Sequence, residues 1–170
     1  MDLEDLAGIA GNTLGNQIPA NFNAEEAPNH EDIEKQFAVA CFEQAEAYWN
    51  LINKIQPSTL KLTKNDDKIY EEFQLHFPDL STDEKLKNVI EAELKTPAAK
   101  AKWREFFKLV ENYMQDYNFG TLLRKNCLED YTEDNSIFVV RAQFYAIEIA
   151  RNRRKLNDPV WEAKKLDSGL

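Results

Sequence analysis

Two histidines, two cysteines, the paired carboxylates Asp66-Asp67 and Glu71-Glu72 and a run of arginines are the side chains in this 170-residue sequence whose chemistry could exceed packing. His30 opens His30-Glu31-Asp32-Ile33-Glu34, which superficially suggests a helical zinc motif. The second histidine that such a site needs one turn later is Glu34, so no metal is expected there. His76 stands beside Phe77, near an expected helix end. Cap or surface roles suit both imidazoles, because a catalytic site needs several convergent groups. Asp66-Asp67 and Glu71-Glu72 fall at helical spacing and could hold a hard cation, but no EF-hand-like spacing accompanies them and a solvated face is expected. Cys41 and Cys127 lack CxxC spacing and read as reduced core thiols, which suits a cytosolic or nuclear protein.

The basic constellation is harder to dismiss. Arg141, Arg151, Arg153, Arg154 and Lys155, with Arg124 upstream, reverse the charge locally in a chain whose formal net charge is -9. On a helix, Arg141, Glu148 and Arg151 lie near one another. Two readings stay open: an ion-pair network around that helix, or an arginine site for a partner's carboxylates or phosphates. The acidic total opposes a polyanionic partner, so nucleic-acid binding is not expected. Gly120 is the only glycine between residues 16 and 168. Enzymes that bring backbone amides onto phosphates or cofactors through glycine-rich turns are therefore disfavoured, and neither a catalytic residue nor a cofactor is expected.

The elements that must position these residues read as helices. Residues 1–28 hold Gly8, Gly11, Gly15, Pro19 and Pro28 among small and amide side chains, a composition that reads as a flexible tail. A helix is expected from Asn29, as N-cap, to about Lys54. Its face comprises Ile33, Phe37, Cys41, Tyr48, Ile52 and Ile55, widened by Phe42, Ala45 and Trp49, and Pro57 ends it. A second spans about Lys64 to Phe77, closed by Pro78. Ser81 and Glu84 form a capping box for a third carrying Leu86, Val89, Ile90 and Leu94, although the alternation at 86–90 also fits an extended segment. Thr96-Pro97 caps a fourth that runs to near Asn118 through Trp103, Phe106, Phe107, Val110, Met114 and Tyr117. Gly120 then reads as a helix stop with positive φ. The apolar run from Ile137 to Ala150 favours helix, with strand open at 137–140. Neither a signal peptide nor a membrane span is expected.

Certain stretches are recognisable: Asp116-Tyr117-Asn118-Phe119-Gly120-Thr121-Leu122-Leu123-Arg124, then Asp130-Tyr131-Thr132, then Gln143-Phe144-Tyr145-Ala146-Ile147-Glu148-Ile149-Ala150-Arg151-Asn152-Arg153. With Lys100-Ala101-Lys102-Trp103-Arg104 and His76-Phe77-Pro78, they resemble the eukaryotic polysaccharide-biosynthesis-domain-containing protein family across roughly residues 30–158. The resemblance implies a small, mainly α-helical orthogonal bundle in cytosol and nucleus. It also implies a dedicated chaperone for newly made translation elongation factor 1A, engaging its GTP-binding domain during or just after synthesis, near the ribosome. The family's name suggests a sugar-related activity instead, but no glycine-rich loop, paired carboxylates in context or evident base supports a transferase.

The resulting expectation is an all-α protein of about five to six helices: a flexible tail at 1–28, a helical domain at 29–158 and a C-terminal tail at 159–170. It is expected to be a monomeric, non-catalytic protein-binding module without cofactor, metal, nucleic-acid or membrane partners. A passive adaptor and an enzyme or accessory protein of polysaccharide biosynthesis are the alternatives. Tyr117, Phe119, Arg124, Arg141 and Arg151 are the expected partner contacts, since aromatics and arginines dominate interface energetics; core aromatics plus buried ion pairs is the competing reading.

Overall fold

The computed structural model describes residues 30–168. The expected tail at 1–28 and the cap at Asn29 lie outside them. Helix α1 spans His30–Lys54. Its Ala40, Cys41, Ala45, Tyr48 and Ile52 recur at three- and four-residue spacing and are buried. Phe42 was expected on that face but is 61% exposed, as is Val39 at 56%, because both lie around the helix from the buried stripe. After a 3-10 turn at Pro57–Thr59 comes α2, Asp66–His76. Asp66 does not belong to a solvated face. Its carboxylate accepts from the Leu62 and Thr63 amides at 2.8 and 2.6 Å and from the Thr63 hydroxyl at 2.8 Å, which ties down the entry to α2.

The region from 83 to 94 is both helical and extended. Helix α3, Asp83–Lys87, is capped by Thr82 rather than Ser81. Asn88 then bridges to Asn126, and α4 covers Glu91–Leu94. The interruption arises because the Val89 amide donates to Lys125 O at 3.0 Å and the Cys127 amide to Lys87 O at 3.1 Å. Helix α5, Pro97–Val110, has the anticipated cap, with the Thr96 side chain accepting from the Ala99 amide. It ends a full two turns before Asn118, yet Met114 still reaches the core.

The all-α expectation is overturned by a hairpin: β1, Gly120–Arg124, pairs antiparallel with β2, Ser136–Val140. The described residues are therefore mixed α/β, mainly helical with one small sheet. Ile137 and Val139 alternate with Phe138 and Val140, so pairing with β1 buries Ile137 and Val139 on one face. Asn135 organises the connecting loop, donating to the carbonyls of Asn126, Glu129 and Asp130 and accepting from the Asn126 amide.

Helix α6, Arg141–Arg153, follows directly, its start marked by Gln143 Oε1 accepting from the Val140 amide at 3.0 Å. The expected C-terminal tail is instead helix α7, Asp158–Asp167, for residues 159–167. Proline sits in its first turn, Val160 is buried, and α7 packs on α1. Asp158 fixes this docking by accepting from the Ser58 amide and hydroxyl at 2.9 and 2.8 Å. The core runs continuously from Tyr48 and Ile52 through Phe73, Trp103 and Phe106 to Phe144 and Ile147, with Phe77 stacked on Trp103 at 4.0 Å between ring centroids.

Candidate functional site

The five expected contact residues come from the region where the hairpin meets α6, and they separate into two groups. Arg124 at the end of β1 and Arg151 in the last turn of α6 are wholly buried. Glu148 lies one turn before Arg151 on the same inward face of α6 and stands between them. Arg151 donates through Nη1 to Glu148 Oε1 at 2.7 Å, and Arg124 Nη2 lies 3.3 Å from both carboxylate oxygens. The other oxygen, Oε2, accepts from the Tyr48 hydroxyl at 2.6 Å and from Asn157 Nδ2 at 2.9 Å.

Two guanidiniums around one carboxylate leave an excess positive charge, and the main chain absorbs it. Arg151 donates to the carbonyls of Leu86, Arg124 and Lys125 at 2.7, 2.9 and 3.0 Å, and Arg124 donates to the carbonyl of Cys127. The rings of Trp49 and Tyr131 lie 5.4 and 5.8 Å from the Arg124 guanidinium. Burial alone would raise the Glu148 carboxyl, but the two arginines and the donated hydrogen bonds hold it down at about 2. Every lone pair of this carboxylate is engaged, so it suits a structural anion better than a proton acceptor. The cluster joins α1, the end of α3, β1, α6 and the turn into α7. Burial likewise pushes the Cys41 thiol up to about 11 and raises Cys127, leaving both as thiols.

The second group lies outside the cluster and is mixed: Phe119 is exposed and Tyr117 half-buried, whereas Arg141 is only 8% exposed. Arg141, at the start of α6, is two turns from Glu148 and outside the cluster. It meets Asp116 at 3.7 Å and lies over the Tyr145 ring. Tyr117 is partly buried against Phe107, its ring centroid 6.0 Å away, and Phe119 is 39% exposed. Residues sequence reasoning did not single out complete this surface: Phe138 is 52% exposed and its ring contacts Phe37. Gly120 explains the approach. It has no positive φ; a Cβ there would stand 2.2 Å from Phe138 Cζ and 2.8 Å from Phe37 Cζ. The left-handed conformation expected at Gly120 falls at Asp116 instead, with φ 57°, where a short polar side chain tolerates it.

The remaining arginines of the basic run are dispersed. Arg153 pairs with Asp67, and Arg154 with Asp83 and the Ser81 carbonyl. His76 ends α2 with Nδ1 2.9 Å from the Glu72 carbonyl oxygen. Tyr48 reads in the sequence only as part of an apolar helix face; its meeting with Glu148, 100 residues away, and the parts played by Asn152 and Asn157 have no local pattern to announce them.

Fold and cluster define a class: a small, mainly helical domain whose antiparallel hairpin is pinned by a buried arginine–glutamate–arginine triad. Within that class the chain belongs to the PBDC1 protein family, whose family model matches residues 33–162. The Saccharomyces cerevisiae protein PBDC1 homolog is 54% identical over 139 residues, covering 82% of this chain and 95% of that protein. The Mus musculus protein PBDC1 is 44% identical over 153 residues, 89% of this chain and 75% of that one. A solution NMR structure of a Saccharomyces cerevisiae protein matches with a TM-score of 0.74 at 52% identity, covering 85% of this chain and 99% of that one.

Proposed function

We propose that this protein is a non-catalytic chaperone for newly made translation elongation factor 1A, acting on its GTP-binding domain in the cytosol and nucleus. The observation that carries the reading is the set of apolar side chains left in solvent around the hairpin and α1, namely Phe119, Phe138, Val39 and Phe42. A GTPase domain leaving the ribosome exposes apolar surface until it folds, and such side chains offer it temporary cover. Family membership over most of the chain supports the same reading, through the resemblance noted in the sequence. For the sugar-related alternative, the saturated Glu148 and the protonated thiols offer poor acid–base or nucleophilic groups.

Tyr117 and Phe119 remain contacts in this proposal, whereas Arg141, only 8% exposed beside Asp116, does not. Arg124 and Arg151 act from inside, by holding the hairpin that presents those contacts. The decisive experiment translates elongation factor 1A in a purified system with and without this protein and scores its soluble, GTP-competent fraction. The fraction should rise. No change, with active components and a client that aggregates on its own, would remove the reading.

A further inference from the structure

The phase of the hairpin ladder determines which of its backbone groups are still free. Just beyond the strands, the Arg141 amide donates to Phe119 O at 2.8 Å and the Lys125 amide to Asn135 O at 2.8 Å. Bonded and non-bonded pairs alternate in an antiparallel ladder. The pairs Gly120↔Val140, Leu122↔Phe138 and Arg124↔Ser136 therefore turn their amides and carbonyls away from the partner strand.

The two outer edges differ. On β1 the edge is occupied at both ends, by the Cys41 thiol on Gly120 O at 3.5 Å and by Arg151 on Arg124 O at 2.9 Å. On β2 the Val140 amide is taken by Gln143 of the same turn, while the amides and carbonyls of Ser136 and Phe138 have no partner among the described residues. Phe138 itself is 52% exposed; β2 packs chiefly on β1 and α6, and the Phe138 ring also meets Phe37 of α1. Charge marks one end of this edge: Glu129, Asp130, Glu133 and Asp134 are exposed in the loop that leads into Ser136.

We propose that the outer edge of β2 takes up an extended segment of the client polypeptide as a third strand. The backbone of that segment meets Ser136 and Phe138, an apolar side chain lies against the Phe138 ring, and a basic residue faces the acidic loop. A free strand edge selects for extended backbone, alternate positions supply the side-chain preference, and the loop supplies the charge preference. The identity of the client rests on the chaperone reading; the strand chemistry does not.

Two probes separate the two. One is a tiling set of short peptides from the GTP-binding domain of elongation factor 1A, and the other a synthetic alternating Val-Thr peptide ending in lysines. Binding to the full chain is followed by fluorescence anisotropy. Phe138→Pro removes an amide that the β1–β2 ladder does not use, so the hairpin should persist while binding weakens about tenfold or more. In the wild type, N-methylation of alternate peptide positions should weaken binding about tenfold in one frame and little in the other. That parity decides the matter even if Phe138→Pro unfolds.

Equal binding by both N-methylated frames, or undiminished binding by folded Phe138→Pro, overturns the inference. So does a wild-type dimer, seen by sedimentation, that Phe138→Pro converts to monomer without any peptide binding. Frame-dependent pickup of the synthetic peptide with no effect on elongation factor 1A solubility would uphold strand addition and sink the chaperone reading. Full chaperone activity of folded Phe138→Pro would do the reverse.

Discussion

Glu148 is a buried anion between two buried cations, so its effect on the structure is large. Removing one member strands the others without solvent, so Glu148→Gln and Arg151→Ala should each cost about 3–5 kcal/mol of stability. Urea unfolding of the two variants checks this. Phe119→Ala, at an exposed position, should change stability by less than about 1 kcal/mol while weakening client binding. Equal loss of stability and binding in Phe119→Ala would remove its role as a contact. Glu148 also sets a pH dependence. Its carboxyl binds a proton more weakly in the folded than in the unfolded chain. Its contribution is therefore fully present above the ordinary value of 4.5 and is lost as pH falls towards about 2. A pH series of urea midpoints should decline over that acid window in the wild type and much less in Glu148→Gln.

At the scale of elements, the hairpin is held by unlike devices on its two faces. Thr121, Leu123, Ile137 and Val139 face the core, whereas the other face meets α1 through Phe37, Cys41, Tyr48 and Trp49. Gly120 lies where the rings of Phe37 and Phe138 converge, so Gly120→Ala must push both rings aside. A loss of about 1–3 kcal/mol is expected, partly restored by adding Phe138→Leu, which shortens the obstructing side chain. Thermal unfolding of the single and double variants reads this out. The N-cap of α5 is more local: Thr96→Ala should cost about 1 kcal/mol through loss of one side-chain acceptor.

For the whole molecule, α7 is part of the domain and closes it. Its Val160 is buried, and Asp158 anchors the 3-10 turn after α1. Truncation before Pro159 exposes the apolar surface of α1 beneath α7, at a cost of about 1.5–3 kcal/mol. The thermal midpoint should then fall by about 5–10 °C. A truncated chain with an unchanged midpoint would return residues 159–167 to the status of a tail.

Caps, proline breaks and apolar spacing made α1, α2 and α5 legible from the sequence alone, because the forces that start and stop a helix act within a few residues. Thr96-Pro97 is the plainest instance, and the buried stripe of α1 from Cys41 to Ile52 another. The resemblance carried by the stretches from Asp116 to Arg124 and from Gln143 to Arg153 was also legible, and it led to the family. Tertiary structure alone decided that Ile137 to Val140 form a strand, since Ile137 and Val139 gain their burial by pairing with β1 across the loop. It alone decided that α3 breaks at Asn88, where the chain bonds to residues 125–127. It also divided the arginines: Arg124 and Arg151 inside with Glu148, Arg141 buried apart from them beside Asp116, and Arg153 exposed. Charge and spacing are the same for a buried guanidinium as for an exposed one. What separates them is the desolvation imposed by distant elements, and that exists only once α1, β1 and α6 have met.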